Sequence, residues 1–156
     1  MNIRELRNKI GITQKEAAKS VGVSLRSYVD YENNPSKIQS RTYKYIFNTL
    51  SELYPLDETH GVLTMDFIRK TCSDIFDKYK VDFCILFGSY AKGTAKENSD
   101  VDLLLSSKIT GLKFYGLVEE LRQALGKKVD LLDIKQLSNN TELLSEILKY
   151  GEKIYG

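Results

Sequence analysis

The sequence predicts an α+β chain: an all-helical N-terminal module, then a small α/β module whose mixed sheet carries helices on one side. Three observations predict it. Over residues 3–53 apolar side chains recur at helical spacing without strand alternation, whereas beyond residue 63 short apolar runs alternate with amphipathic stretches. Between them, Tyr54–Gly61 (YPLDETHG) breaks the pattern with a proline, a glycine and consecutive polar residues. Charge divides at the same place: residues 1–57 carry nine Lys or Arg against six Asp or Glu, and residues 58–156 carry fourteen against fifteen. A basic front and a slightly acidic rear suit two modules with different partners. The expected organisation is a helical domain over residues 1–54, a linker over 55–62 and a second domain over 63–156.

Composition excludes several classes. No apolar run approaches the roughly 18 residues of a membrane span. The charged start MNIRELRNKIG lacks the apolar core of a signal peptide, so the chain reads as cytoplasmic with no membrane partner. Cys72, Cys84 and the single His60 make neither a disulfide framework nor a Cys/His metal cluster.

In the front module Ile3, Leu6 and Ile10 space a first short helix that Gly11 ends. Thr13 is the expected N-cap of a helix over Gln14–Val21, with Glu16 completing a capping box and Gly22 stopping it. Ser24 caps the next helix, Leu25–Asn33, which ends at the Asn33-Asn34-Pro35 breaker. A last amphipathic helix covers about Thr42–Leu53. Two short helices joined through a glycine, in TQKEAAKSVGVSLRSYVDYE, have the form of a helix-turn-helix. Through Thr13-Gln14, Ala17-Ala18, Gly22-Val23-Ser24 and Tyr31-Glu32-Asn33, residues 2–53 resemble the Cro/repressor (XRE-like) family. That resemblance implies operator DNA as a partner, a phosphate contact from Gln14, and Thr13, Gln14, Ser24, Arg26 and Ser27 at the DNA surface. Of the groove-facing residues Leu25, Arg26 and Asp30, only Arg26 is a strong reader of base edges, and Asp30 carries the wrong charge. Arg4, Arg7, Lys9, Lys37 and Arg41 are candidates to track phosphates, the alternative for each being a solvated surface charge. A docking or dimerisation module on the same fold is the alternative.

In the rear module Thr64 caps a helix over about Met65–Tyr79, followed by a buried strand, Val81–Phe87. A turn at Gly88-Ser89 leads to a second strand in SDVDLLLS. GLKFYGLVEELRQALG is a helix, KKVDLLDI a third strand, Thr141–Tyr150 a last helix and Lys153–Tyr155 a tail strand. Gly88, directly after a strand, lets backbone approach a ligand closely. Ser89 then offers a hydroxyl and free N–H groups to phosphate oxygens. Asp100 and Asp102, two apart on a strand, project from one face. Two such like charges call for a hard divalent cation, and Asp130 at the head of the third strand is a candidate third carboxylate. A phosphate holder beside clustered carboxylates is what metal-assisted phosphoryl or nucleotidyl transfer requires.

Gly88-Ser89, ten residues, then Asp100-Val101-Asp102 resembles the signature of the DNA polymerase β-like nucleotidyltransferase superfamily. Within it, GSYAKGTAKENSDVDLLL is most similar to the minimal nucleotidyltransferase (MNT) family, with Lys92 where arginine is common. The resemblance spans about residues 64–156. It implies Mg²⁺-dependent transfer of AMP from ATP, with Gly88, Ser89 and Lys92 on the nucleotide and Asp100, Asp102 and Asp130 as metal-binding catalytic carboxylates. No further acceptor-binding module is visible, which points to a protein acceptor. MNT proteins are commonly antitoxins of HEPN-domain toxins, so the resemblance implies AMP transfer to a toxin tyrosine in a type VII-like toxin–antitoxin pair. A fused helix-turn-helix then suits an antitoxin that represses its own operon, as a homodimer on a two-fold operator. The alternatives are a small-molecule (aminoglycoside-like) nucleotidyltransferase and a non-catalytic DNA- or protein-binding regulator.

Overall fold

A computed structural model describes all of residues 1–156, in two compact units, Met1–Leu56 and Asp57–Gly156. The helices of the first unit begin where side-chain oxygens meet otherwise unpaired backbone donors. Asn2, Thr13, Ser24 and Ser40, all in extended backbone, each accept the N–H three residues on. They open α1 (Ile3–Ile10), α2 (Gln14–Ser20), α3 (Leu25–Asn33) and α4 (Arg41–Leu53). Thr13 and Glu16 form the expected reciprocal box, and Asn2 with Glu5 forms another. Gly11 ends α1 at φ 81°, a left-handed geometry that glycine adopts without a Cβ clash. Ile3, Leu6, Ala17, Tyr28, Ile46 and Leu50 make the core of this unit.

Beside that core the chain buries a carboxylate and answers it. Arg7 Nε and Nη2 donate to Glu32 Oε2 and Oε1 at 2.7 and 3.0 Å, and Gln14 Nε2 donates to Glu32 Oε1 at 2.8 Å. The Glu32 side chain is 1% exposed. Burial alone would raise its pKa, but the hydrogen bonds from Arg7 and Gln14 outweigh burial and hold it below the ordinary glutamate value.

In the second unit α5 (Met65–Tyr79) leads into β1 (Val81–Phe87), the short α6 (Gly88–Ala91) and β2 (Val101–Ser107). Then come α7 (Leu112–Leu125), β3 (Val129–Asp133), α8 (Thr141–Tyr150) and β4 (Glu152–Tyr155). The sheet is mixed, in the order β3-β2-β1-β4. β1 pairs antiparallel with both β2 and β4, whereas β2 and β3 run parallel, joined by the crossover helix α7. Cys84, Leu86, Leu103 and Leu105 face α5 and α7 in the main core.

The expected mixed sheet is present, but helices cover both of its faces rather than one. Ile85, Phe87, Leu104 and Leu132 point the other way and pack against Leu143 and Ile147 of α8 and against Leu137. Strand residues that are apolar on alternate sides leave two faces to bury, and α8 closes the second.

Of the stretch expected to serve as a linker, residues 55 and 56 belong to the first unit and residues 57–62 to the second. Asp57 Oδ1 accepts the N–H groups of Thr59 and His60 at 2.8 and 2.9 Å, an Asx-type turn. Arg122 of α7 pairs with Glu58, and the buried Lys127 ammonium donates to the His60 carbonyl at 2.9 Å. No helix is long and apolar enough to cross a membrane.

Candidate active site

The site begins at the end of β1. Strand register sets Phe87 opposite Asp102, and the next residue, Gly88, turns out of the sheet at φ 67°. An ideal Cβ at position 88 would lie 2.1 Å from Asp102 Oδ2 and 2.8 Å from its Cγ. The glycine is therefore required twice, by its dihedral angle and by the carboxylate against it. Ser89 follows in the first turn of α6, where N–H groups have no acceptor within the helix. Its own carbonyl is occupied, accepting Thr94 N at 2.9 Å.

β2 and β3 bring the aspartates together. Asp102 is in register with Asp130, so the two side chains leave adjacent strands on one face, with strands about 4.8 Å apart. Alternation puts Asp102 and Asp130 on the α8 side, in line with Leu104 and Leu132. Asp100 stands just ahead of β2, with Lys128 Nζ 3.8 Å from its Oδ2. Half-burial raises the Asp102 pKa to about 6; Asp130, Asp100 and Glu146 push the same way, and Lys92 opposes them. The three aspartates thus share one electrostatic neighbourhood, yet no group of three acidic, His or Cys side chains forms a complete cation cage.

That arrangement fits Mg²⁺. This ion is ordinarily held by one or two carboxylates together with substrate phosphates and water, not by an all-protein cage. Asp102 is half-buried and pushed towards neutrality by other acids, and its one opposing cation, Lys92, is ion-paired to Glu146. The hard oxygen donors of Asp102 and Asp130 suit a divalent cation.

Lys92 is engaged elsewhere than on the Gly88-Ser89 turn. Its Nζ is 2.7 Å from Glu146 Oε1 and 5.3 Å from the Tyr150 ring centroid, both on α8. Glu146 is the acidic neighbour that sequence reading missed. On an amphipathic helix it reads as a solvated charge, and only the docking of α8 on the second sheet face brings it to Asp102. An apolar groove of about 330 Å³ continues along that face, lined among others by Ile85, Leu104, Leu144 and Leu148.

In the helical unit several expected DNA-facing residues have partners within the chain. Thr13 Oγ1 donates to Glu16 Oε2 at 2.8 Å, Gln14 is held by Glu32, and Ser24 Oγ accepts Ser27 N at 3.1 Å. Arg26 is exposed, and with Ser24, Ser27 and Asp30 it lines a shallow depression. Asp30 is ion-paired with Lys37, which offsets the adverse charge that the sequence placed on α3.

Residues 70–156 match the polymerase β nucleotidyltransferase family, and residues 3–44 match a helix-turn-helix family. A putative protein adenylyltransferase of Methanocaldococcus jannaschii is 37% identical over 78 residues, which are 47% of this chain and 78% of that protein. The protein adenylyltransferase MntA of Shewanella oneidensis is 33% identical over 49% of this chain and 55% of its own length. MntA of Thermococcus cleftensis is 39% identical over 49% of this chain and 75% of its own. A crystal structure of a toxin–antitoxin with AMP-PNP is 28% identical, covering 56% of this chain and 73% of that one, with a TM-score of 0.48.

Proposed function

The chain belongs to the polymerase β nucleotidyltransferase family, and from that premise we propose that it transfers AMP from ATP to a tyrosine hydroxyl of a protein partner. The partner is a HEPN-type toxin, which makes this chain the antitoxin of the pair. The observation that carries the reading is the packing of Gly88 against Asp102, with Asp130 alongside in register. The relatives named protein adenylyltransferases support AMP and a protein acceptor.

Asp102 and Asp130, with Asp100 beside them, would hold Mg²⁺ together with the substrate phosphates. Bound there, it would neutralise triphosphate charge and lower the pKa of the attacking hydroxyl. The Gly88-Ser89 turn binds phosphate oxygens through backbone N–H groups and the Ser89 hydroxyl. The tyrosine oxygen bonds to the α-phosphorus of ATP, the bond from that phosphorus to the bridging oxygen breaks, and pyrophosphate leaves. Asp130, the exposed carboxylate of the pair, receives the hydroxyl proton.

The experiment is incubation of this protein and the protein encoded beside it with Mg²⁺ and α-labelled ATP. The expected result is label on the partner's tyrosine as a discrete AMP mass increment, absent with D102N. No label with any of the four nucleotides would overturn the reading.

The helical unit, on this reading, binds operator DNA as a homodimer through α3, with Arg26 reading base edges. Its match to a helix-turn-helix family supports that role. Gln14, tied to Glu32 instead of open to a phosphate, favours the second reading of this unit as a docking module. A shift assay on the protein's own promoter decides between them: R26A loses sequence-specific binding if α3 reads DNA and changes nothing if the unit docks protein.

A further inference from the structure

Lys127 has no solvent exposure, and the chemistry above gives it no part. A buried ammonium is costly unless its protons are taken up. Here the Nζ donates to two backbone carbonyls far apart in sequence, His60 at 2.9 Å and Glu97.

Glu97 lies inside a tight turn that directly precedes Asp100. Ser99 N donates to Lys96 O at 3.0 Å, and Lys96 N donates to Ser99 Oγ at 2.8 Å. The neighbouring Lys128 holds the other side of Asp100. Its carbonyl accepts Val101 N at 2.9 Å, and its Nζ is the group 3.8 Å from Asp100 Oδ2. Two consecutive lysines therefore contact residues 97, 100 and 101, and the chain runs on from them into β3 and Asp130.

We propose that Lys127 is a positioning residue for Asp100: by tying the Lys96–Ser99 turn to the strand that carries Asp130, it fixes where Asp100 stands relative to Asp102 and Asp130. The proposal rests on the nucleotidyl-transfer reading of those carboxylates. An apolar side chain of similar volume would fill the space but leave the Glu97 and His60 carbonyls without this donor, and the turn would lose its anchor. Arginine keeps charge and donors, though its planar fork meets the two carbonyls less flexibly than a rotatable ammonium.

The test measures Mn²⁺ binding in the presence of a non-hydrolysable ATP analogue by electron paramagnetic resonance, with hydrogen exchange of the amides at residues 96–101. Wild type, K127M, K127R and R122A are compared below their melting temperatures. K127M is expected to weaken Mn²⁺ binding by about tenfold or more, as loss of a supporting contact around a metal site does, and to speed exchange at Ser99–Val101. K127R is expected to recover most of that loss. R122A frees Glu58 from the same 57–60 turn without touching Glu97, and leaves Mn²⁺ affinity unchanged. If K127M does not fold, K127Q replaces it. A lower melting temperature with wild-type Mn²⁺ affinity would make Lys127 a stability residue and overturn the positioning role alone. Absence of Mn²⁺ binding by wild type would overturn the nucleotidyl-transfer reading and this proposal with it.

Discussion

Glu32 in the helical unit and Asp102 in the catalytic unit are both carboxylates withdrawn from water, and the chain treats them in opposite ways. Glu32 receives two hydrogen bonds from Arg7 and one from Gln14, and its pKa falls. Asp102 is given Asp130, Asp100 and Glu146 as neighbours, and its pKa rises to about 6. A buried charge that serves the fold is satisfied within the fold, because leaving it unpaired costs several kcal/mol. A charge left in acidic company keeps its capacity for something the chain does not contain. On the proposed mechanism, Asp102 is the carboxylate that the transfer uses.

The contrast can be broken at either end. The largest effect is expected from D102N, which should lower AMP transfer by about a thousandfold, the scale of losing a principal electrostatic stabiliser. The same change should raise stability at neutral pH. Burial and like charges put the folded pKa of Asp102 at about 6, above its ordinary 3.8, so folding favours the protonated form. Ionisation therefore removes stability as pH rises through that window. D102N should be the more stable protein at pH 8, by about 1 kcal/mol after solvent screening, and equal to wild type at pH 3.5. Denaturant melts at the two pH values check the sign.

G88A comes next. Its Cβ would meet Asp102 Oδ2 at 2.1 Å in a left-handed backbone. Transfer should fall by about a hundredfold and stability by about 2 kcal/mol, read from kinetics and thermal melts of one preparation. E32A should do the reverse of D102N, destabilising the helical unit by about 2–4 kcal/mol by leaving Arg7 without its partner. It should leave nucleotide binding by the second unit intact. Because the folded pKa of Glu32 is lowered, its contribution is present above pH 4.5 and lost as pH falls through the folded value. Acid should thus loosen the helical unit in wild type and add little further in E32A. The smallest effect is expected from K92A: its pair with Glu146 is one-third exposed on both sides and worth about 0.2–1 kcal/mol. A loss of ATP affinity much beyond that equivalent would show that Lys92 leaves Glu146 for the triphosphate.

Much of this was legible in the residues. The caps at Thr13, Ser24 and Thr64 work through neighbours three positions on, and such local chemistry is visible along the chain. The strand, the Gly-Ser turn and the strand carrying Asp102 were legible because glycine and period-2 alternation both leave marks in sequence. Asp100, expected on that second strand, stands just ahead of it. The in-register meeting of Asp102 and Asp130 was only inferred, since no local pattern dictates which strands pair. Helical spacing shows that α8 has an apolar stripe but not which sheet face it covers, so Glu146 stayed out of view. Lys127 reads as one of two surface lysines. Its burial depends on carbonyls 30 and 67 positions away, and backbone acceptors carry no residue-type signal. The docking of the Asp57–His60 turn was missed because its anchors, Arg122 on α7 and Lys127, lie far along the chain.

The parallel pairing of β2 with β3 has a consequence for how the protein is made. Neighbouring antiparallel strands can zip from a short turn, but parallel neighbours must wait for an intervening helix to form and swing across the sheet. Asp130 is therefore expected to join Asp102 only once α7 has docked, with the carboxylate pair forming late in folding. In a refolding time course, helical ellipticity should return first, and the capacity to hold nucleotide with its ion should return last.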